Sequence, residues 1–355
     1  MASTQTLKPL RIGIVGAGAN TQARHIPGLR AMPGVTVAAL CNRTRASSEQ
    51  AAAKLGVPKV VDHWRELVEA PDLDAIVIGT WPYLHAEITQ AALAAGKHVL
   101  TEARMARTLA EAEAMLAASQ ARPDLVAQIV PAPMSLDFDA TIQGMLADGT
   151  LGALREVRVT HTNAAVAAEQ TPATWRQNVE LSGFNTMALG IYYEMVLRWL
   201  RSEPETLVAD AAVFTRERTD TDGKKVSVPI PDSVSVLARY RTGTRLIAHF
   251  SGVERGTSAN EIRLNGSRAS LRLDFNRKEL WLSGEGGTET LVTVPVELRR
   301  GWRVEEDFIH SIRTGEPVRL TDFTSGVNYM RFTEAVWRGW SGFEKKATIV
   351  GDPAR

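Results

Sequence analysis

The sequence predicts an α/β chain, a doubly wound parallel sheet followed by an α+β domain whose sheet is open and mainly antiparallel. Three observations predict it. Residues 10–32 read as a strand, a glycine-rich turn and a helix. Apolar strands then alternate with helices as far as Val130, the pattern of a parallel sheet with ligands at its carboxyl ends. Beyond Pro131-Ala132-Pro133 that alternation gives way to short β runs separated by turn residues. The expected division is 1–130 and 131–355.

Leu10-Arg11-Ile12-Gly13-Ile14-Val15 is a short buried strand that runs into Gly16-Ala17-Gly18-Ala19-Asn20-Thr21 and a helix from Gln22 to Met32. This order suits a dinucleotide. Gly16 allows the tight turn, and Gly18 lets backbone approach a pyrophosphate with no Cβ in the way. The free N–H groups and positive dipole end of the helix then face the phosphates. Gly16, Gly18, Ala19 and Asn20 are therefore expected at a cofactor, with Thr21 where the usual fingerprint has a third glycine.

Val35 to Leu40 is the second strand, and an adenosine ribose is expected near Cys41-Asn42-Arg43-Thr44-Arg45. An NAD-selective site carries Asp or Glu there. Asn42 is neutral while Arg43 and Arg45 are cationic, so NADP is favoured slightly over NAD. A helix spans Ser47 to Leu55. Lys59-Val60-Val61 and Ala75 to Gly79 are strands flanking a helix from Trp64 to Glu69. After Thr80-Trp81-Pro82, residues Leu84, Ile88, Ala91, Ala92 and Ala95 keep helical spacing as far as Gly96. Lys97 to Thr101 is the fifth strand. Thr108-Leu109-Ala110-Glu111 reads as a capping box, and Gln128-Ile129-Val130 as the sixth strand.

In the second half a helix from Asp139 to Leu146 precedes an alternating strand from Leu154 to Thr162. Tyr192, Met195, Val196, Trp199 and Leu200 form an apolar helical stripe. Six β runs follow: Leu207–Phe214, Ser233–Tyr240, Arg245–Ser251, Glu261–Leu264, Ser270–Asp274 and Glu279–Leu282. Asp222-Gly223, Thr242-Gly243 and Asn265-Gly266 are the turn signals between them. Helices from Val304 to Arg313 and from Thr324 to Trp340 close the chain.

Composition sets limits. The 355 residues, 44% hydrophobic and 23% charged, suit two ordinary globular domains. A net charge of +1 gives no electrostatic case for nucleic acid or an anionic membrane. No apolar run approaches the roughly 20 residues that span a bilayer. Residues 1–7 lack the features of a signal peptide. The single cysteine, Cys41, forbids an internal disulfide and suits the cytoplasm. The scattered histidines offer no paired metal-ligand spacing, so no metal is expected.

The glycine turn, Thr80-Trp81-Pro82-Tyr83-Leu84-His85, Gly96-Lys97-His98-Val99-Leu100-Thr101-Glu102, Trp175-Arg176 and the helix ending Leu197-Arg198-Trp199-Leu200 occur in that order. Together they resemble the Gfo/Idh/MocA family of NAD(P)-dependent oxidoreductases along most of the chain. The resemblance implies a Rossmann domain, a C-terminal α/β domain with an open antiparallel sheet, and hydride transfer to or from sugars, inositols and related alcohols. It also implies homodimers or homotetramers. It adds Thr80, Trp81, Pro82, His85, Glu102 and Ala103 to the expected cofactor residues, beside Asn42 and Arg43.

The chain departs from the family's acid–base apparatus. The pattern Glu-Lys-Pro is here Glu102-Ala103-Arg104, and the later aspartate and histidine positions are Ala188 and Tyr192. Tyr192, Arg104 and His161 become the catalytic candidates. An arginine cannot serve as an ordinary proton donor, but it can fix a carboxylate or stabilise an oxyanion. Tyr192 can act if neighbouring cations lower its phenol from near 10. Trp175 could stack on a sugar, with Arg176, Arg104 and Tyr193 as further substrate contacts. The leading expectation is an NAD(P)-dependent oxidoreductase of a sugar, polyol or related small hydroxy or oxo compound. The alternatives are an NAD-dependent glycoside hydrolase using transient oxidation and a dinucleotide-binding regulator without catalysis.

Overall fold

The strands of the first half all pair in parallel, because each is followed by a crossover that carries the chain back across the sheet. The structure, a computed structural model, describes residues 8–341; the segment read for targeting lies outside them. The elements run β1 (Leu10–Val15), α1 (Ile26–Ala31), β2 (Val35–Cys41), α2 (Arg45–Leu55), β3 (Lys59–Val60), α3 (Trp64–Glu69), β4 (Ala75–Ile78), α4 (His85–Ala94), β5 (His98–Thr101), α5 (Leu109–Gln120) and β6 (Ala127–Ile129). The sheet order is β3-β2-β1-β4-β5-β6. Strand order reverses between β1 and β4, and a doubly wound sheet opens its ligand crevice at that point.

The second half comprises α6 (Asp139–Ala147), β7 (Leu154–Thr162), α7 (Val179–Ser182), α8 (Leu189–Leu200), β8 (Thr206–Ala212), β9 (Glu217–Thr219), β10 (Lys225–Ser227), β11 (Ser233–Arg239), β12 (Arg245–Ser251), β13 (Asn260–Gly266), β14 (Ser270–Asp274), β15 (Glu279–Ser283), β16 (Glu289–Leu291), α9 (Val304–Thr314) and α10 (Phe323–Ser341). Eight strands form one open sheet, β16-β15-β14-β13-β7-β12-β11-β8, antiparallel except where β12 meets β7. Burial alternates along β11 and β12, with Val234, Val236, Leu246 and Ala248 turned inward. No helix among the described residues is long and apolar enough to cross a membrane.

Three local expectations are corrected. Thr108 does cap α5, but Glu111 turns to the Arg107 backbone and guanidinium instead of closing a capping box. Asn265-Gly266 is the end of β13, since its pairing runs through Gly266 to Leu154, and the turn follows it. The helix expected from Gln22 is wound as a π-turn over Thr21–His25 before α1 begins. Pro27 lies just after that turn and has no N–H to donate, which favours the altered winding there. The small hairpin β9–β10 and the edge strand β16 are too short for a periodic signal.

The two sheets are not separate bodies along the chain. Val304, Phe308 and Ile309 on α9 are buried in one cluster with Leu10, Ile14 and Leu29 of the first sheet's layer. Ile129 N–H donates to Thr321 O, so the segment before α10 extends the parallel sheet beside β6. Residues 304–322 thus fold against the unit that precedes Pro131.

Candidate active site

The close approach of two turns builds the crevice. Gly79 N–H donates to Val15 O, which holds the ends of β1 and β4 together. Gly16 has φ +87°, and a Cβ there would lie 2.8 Å from Gly79 C and Thr80 N. A Cβ on Gly79 would lie 2.1 Å from Thr21 Oγ1 and 2.3 Å from Gly16 O. Thr21 Oγ1 itself donates to Gly16 O at 3.1 Å. The missing third glycine is therefore complemented by Gly79, which leaves the threonine room.

Gly18 is exposed and would bring a Cβ no nearer than 3.5 Å to other protein atoms, so its open side faces the crevice. The first helical hydrogen bond beyond it is Gln22 N–H to Gly18 O, which leaves the preceding N–H groups without helical partners. These features fit a pyrophosphate. The cavity there has a volume of about 500 Å³, and Gly16, Ala17, Gly18, Asn42, Arg43, Thr80 and Trp81 are among its lining residues.

On the ribose side Asn42 is a builder of the loop. Its Oδ1 accepts from Ala17 N–H at 2.7 Å and its Nδ2 donates to Ser47 O. Arg45 is held by Glu49 and Asp62. Arg43 is exposed at the cavity with no ion pair among the described residues. Sequence reasoning missed Asp62, His63 and Tyr83, which also line the cavity. Asp62 and His63 follow β3, whose two residues give little strand signal, though the carboxyl-end rule would have found them.

Glu102 and His85 hold the walls in place. Glu102 Oε1 accepts from Asn20 Nδ2 and lies 3.0 Å from His25 Nε2, while His25 Nδ1 meets Glu305. Glu305 also accepts from Trp302 Nε1 at 2.7 Å. Burial works against charge on His25, but the hydrogen bonds and charges of Glu102 and Glu305 outweigh it and raise the imidazole to about 9. Burial likewise opposes charge on Glu102, yet His25 and Asn20 hold it below the usual carboxylate range. His85, expected at the cofactor, is instead fully buried, with Nδ1 3.0 Å from Arg104 O and Nε2 3.0 Å from Thr80 O. Burial lowers its pKa, and the single N–H of the neutral ring donates to the Thr80 carbonyl on one side or to the Arg104–Met105 carbonyls on the other. Ala19, Asn20, Pro82, Glu102 and Ala103 are absent from the cavity lining, and Ala103–Arg104 is a cis peptide.

Beyond Thr80 the walls become aromatic and cationic. Trp81 stacks on Trp175 with ring centres 5.8 Å apart, and the Arg176 guanidinium lies 4.3 Å from the Trp175 ring centre. The Trp175 turn is capped by Thr174, whose hydroxyl accepts from Arg176 N–H. Arg104 is buried, with its Cδ 3.1 Å from the position a Gly190 Cβ would take in the first turn of α8.

Tyr192 and His161 do meet, but in a closed circuit. Tyr192 Oη donates to Asn260 Oδ1 and lies 3.0 Å from His161 Nδ1. His161 Nε2 accepts from Asn163 Nδ2, which leaves Nδ1–H to donate. No cation among the described residues lowers the Tyr192 phenol as expected, and burial pushes it upward instead. Tyr193 is corrected as a substrate contact: it is buried, stacked on Phe332 at 3.7 Å between ring centres.

Comparison with known proteins decides the lineage. The model of the oxidoreductase family with an NAD-binding Rossmann fold matches residues 10–128, and that of the GFO/IDH/MocA C-terminal domain matches residues 140–272. The chain belongs to the Gfo/Idh/MocA family. As a member it is an NAD(P)-dependent oxidoreductase of CH–OH groups. It is 30% identical to a dTDP-3,4-didehydro-2,6-dideoxy-alpha-D-glucose 3-reductase of Streptomyces antibioticus, over 88% of this chain and 91% of that one. An oxidoreductase domain protein from Kribbella flavida superposes with a TM-score of 0.84 at 25% identity, covering 95% of this chain and 98% of the other. The Gfo/Idh/MocA fold is likewise shared with a levoglucosan dehydrogenase solved with NADH and L-sorbose, with a TM-score of 0.81, 21% identity and coverage of 94% and 97%.

Proposed function

We propose that the chain exchanges hydride between NADP and the CH–OH or carbonyl centre of a sugar- or polyol-like molecule. In this reading Ala103, Ala188 and Tyr192 stand where the family pattern has Lys, Asp and His. The observation that carries it is the Gly16–Gly79 crevice, whose cavity reaches Trp81 and so the stacked Trp175. The names of two relatives, a glucose-derived 3-reductase and a levoglucosan dehydrogenase, support the sugar class.

Bound at the crevice, the nicotinamide would supply the two-electron acceptor or donor. The chain's own residues do the rest. The N–H groups after Gly18 hold the pyrophosphate, and Arg43 favours a 2′-phosphate over a bare ribose. Trp81, which lines the cavity and is backed by Trp175, offers an apolar surface to a ring, and Arg104 supplies positive charge to a substrate oxygen. In the oxidative direction the hydroxyl proton must leave as the carbon loses hydride. His161, kept neutral by burial, is the proposed acceptor at Nε2, where the substrate hydroxyl would replace Asn163 Nδ2 as the donor, with Tyr192 as a positioning residue against its Nδ1. We further propose that the protein is cytoplasmic and assembles as a homodimer or homotetramer through the helix-free face of the second sheet.

The test is the nicotinamide absorbance on mixing the purified chain with NADP or NAD and a panel of sugars and polyols. Turnover with at least one of them, faster with NADP, is expected. A bound dinucleotide with no turnover on any would replace this reading with the non-catalytic one. Aglycone release from glycosides without net cofactor change would replace it with the hydrolase.

A further inference from the structure

Arg104 is a buried cation with no carboxylate partner among the described residues. It is 7% exposed, its Nε has no hydrogen-bond partner, and no carboxylate contributes to its electrostatic surroundings. Its neighbours make this worse. Arg176 adds a second positive charge close enough to be felt, and with burial, the larger effect, it brings Arg104 down to about 10. Arg104 also packs over Gly190 at the N-terminal turn of α8, the positive end of that helix's dipole. A burial this unfavourable contrasts with Arg198, which sits between Glu194 and Asp139.

Arg104 therefore feels two further sources of positive potential, the α8 N-terminus it packs against and the Arg176 guanidinium that sits on Trp175, and its unpartnered Nε–H is a donor that a flat or tetrahedral oxyanion would accept from. We infer that the substrate carries an oxyanion group, a carboxylate or a phosphoryl, which Arg104 and Arg176 bind while its ring lies against Trp81. This rests on the proposed oxidoreductase reading and narrows it to acidic sugars or sugar phosphates over neutral ones.

The full chain is titrated with D-glucose, D-glucuronate, D-glucose 6-phosphate and inorganic phosphate, with and without NADPH. Tryptophan fluorescence and thermal shift are the readouts. At least one anion is expected to bind ten-fold or more tightly than glucose, and the uronate and phosphate arms separate the two chemistries. Arg104→Met and Arg176→Met are each expected to erase that preference, and Arg176→Met, at an exposed position, covers the case in which Arg104→Met does not fold. Equal binding of all probes, no response to any anion, or a preference that survives the Arg176→Met change overturns the inference. NADPH binding is read separately by its own fluorescence, so its failure strikes the oxidoreductase reading and not the anion site.

Discussion

At the scale of single residues, the cofactor crevice depends on atoms that are missing. Gly79→Ala would push a Cβ into the Gly16 carbonyl, which as backbone cannot swing aside. Overpacking of this kind costs about 1–3 kcal/mol. A lower melting temperature together with weaker NADPH binding is expected in calorimetry and fluorescence titration. Arg43 poses the opposite case, a side chain available for charge. Arg43→Ala is expected to weaken NADPH about ten-fold while leaving NADH within two-fold, and equal losses for both would remove Arg43 from cofactor choice. The glycines were legible in the sequence because a turn needs them. The partnership of Thr21 with Gly79 was not, since it joins positions 58 residues apart whose only bond is packing.

Among elements, the π-turn before α1 matters most, because it carries Asn20 and His25 to Glu102. His25 has a folded pKa of about 9 against 6.5 unfolded, so its contribution is complete below about pH 6.5 and lost as pH rises through 9. Glu102 has the opposite sign: its contribution is present above its ordinary range and lost as acid reaches its lowered pKa. Thermal melts of the wild type should therefore decline from pH 7 to pH 10, by an amount on the order of 3 kcal/mol at the limit. A His25→Gln variant should be flatter over that range, and parallel curves would refute the linkage. The alternation of β1 to β6 with helices was readable because apolar period and length both survive in a local window. The network was not, as His25 meets Glu102 and Glu305 across separations of 77 and 280 residues. Tyr192 shows the same thing, for its stripe position indicated the core while its family position indicated chemistry, and burial keeps its hydroxyl protonated between Asn260 and His161.

For the whole molecule, α9 is the seam. Glu305 reaches from it to His25, and Phe308 and Ile309 complete the apolar layer over the first sheet. Glu305→Ala would leave the buried His25 with one carboxylate, and breaking a buried pair costs about 3–5 kcal/mol. A single unfolding transition at lower temperature is expected. Two transitions, with the first sheet melting unchanged, would mean that the seam carries no load. Punctuation at Pro131 suggests a break there, whereas the return of residues 304–322 leaves no sign in the sequence, because a helix's apolar stripe does not name the surface it covers. A designer who transplants a new catalytic half onto this nucleotide unit must therefore bring the native 304–314 segment along or recut its underside to match. Chimeras spliced at residue 130 alone would inherit a foreign lid over Leu10, Ile14 and Leu29, and their compatibility would be decided there before any substrate is offered.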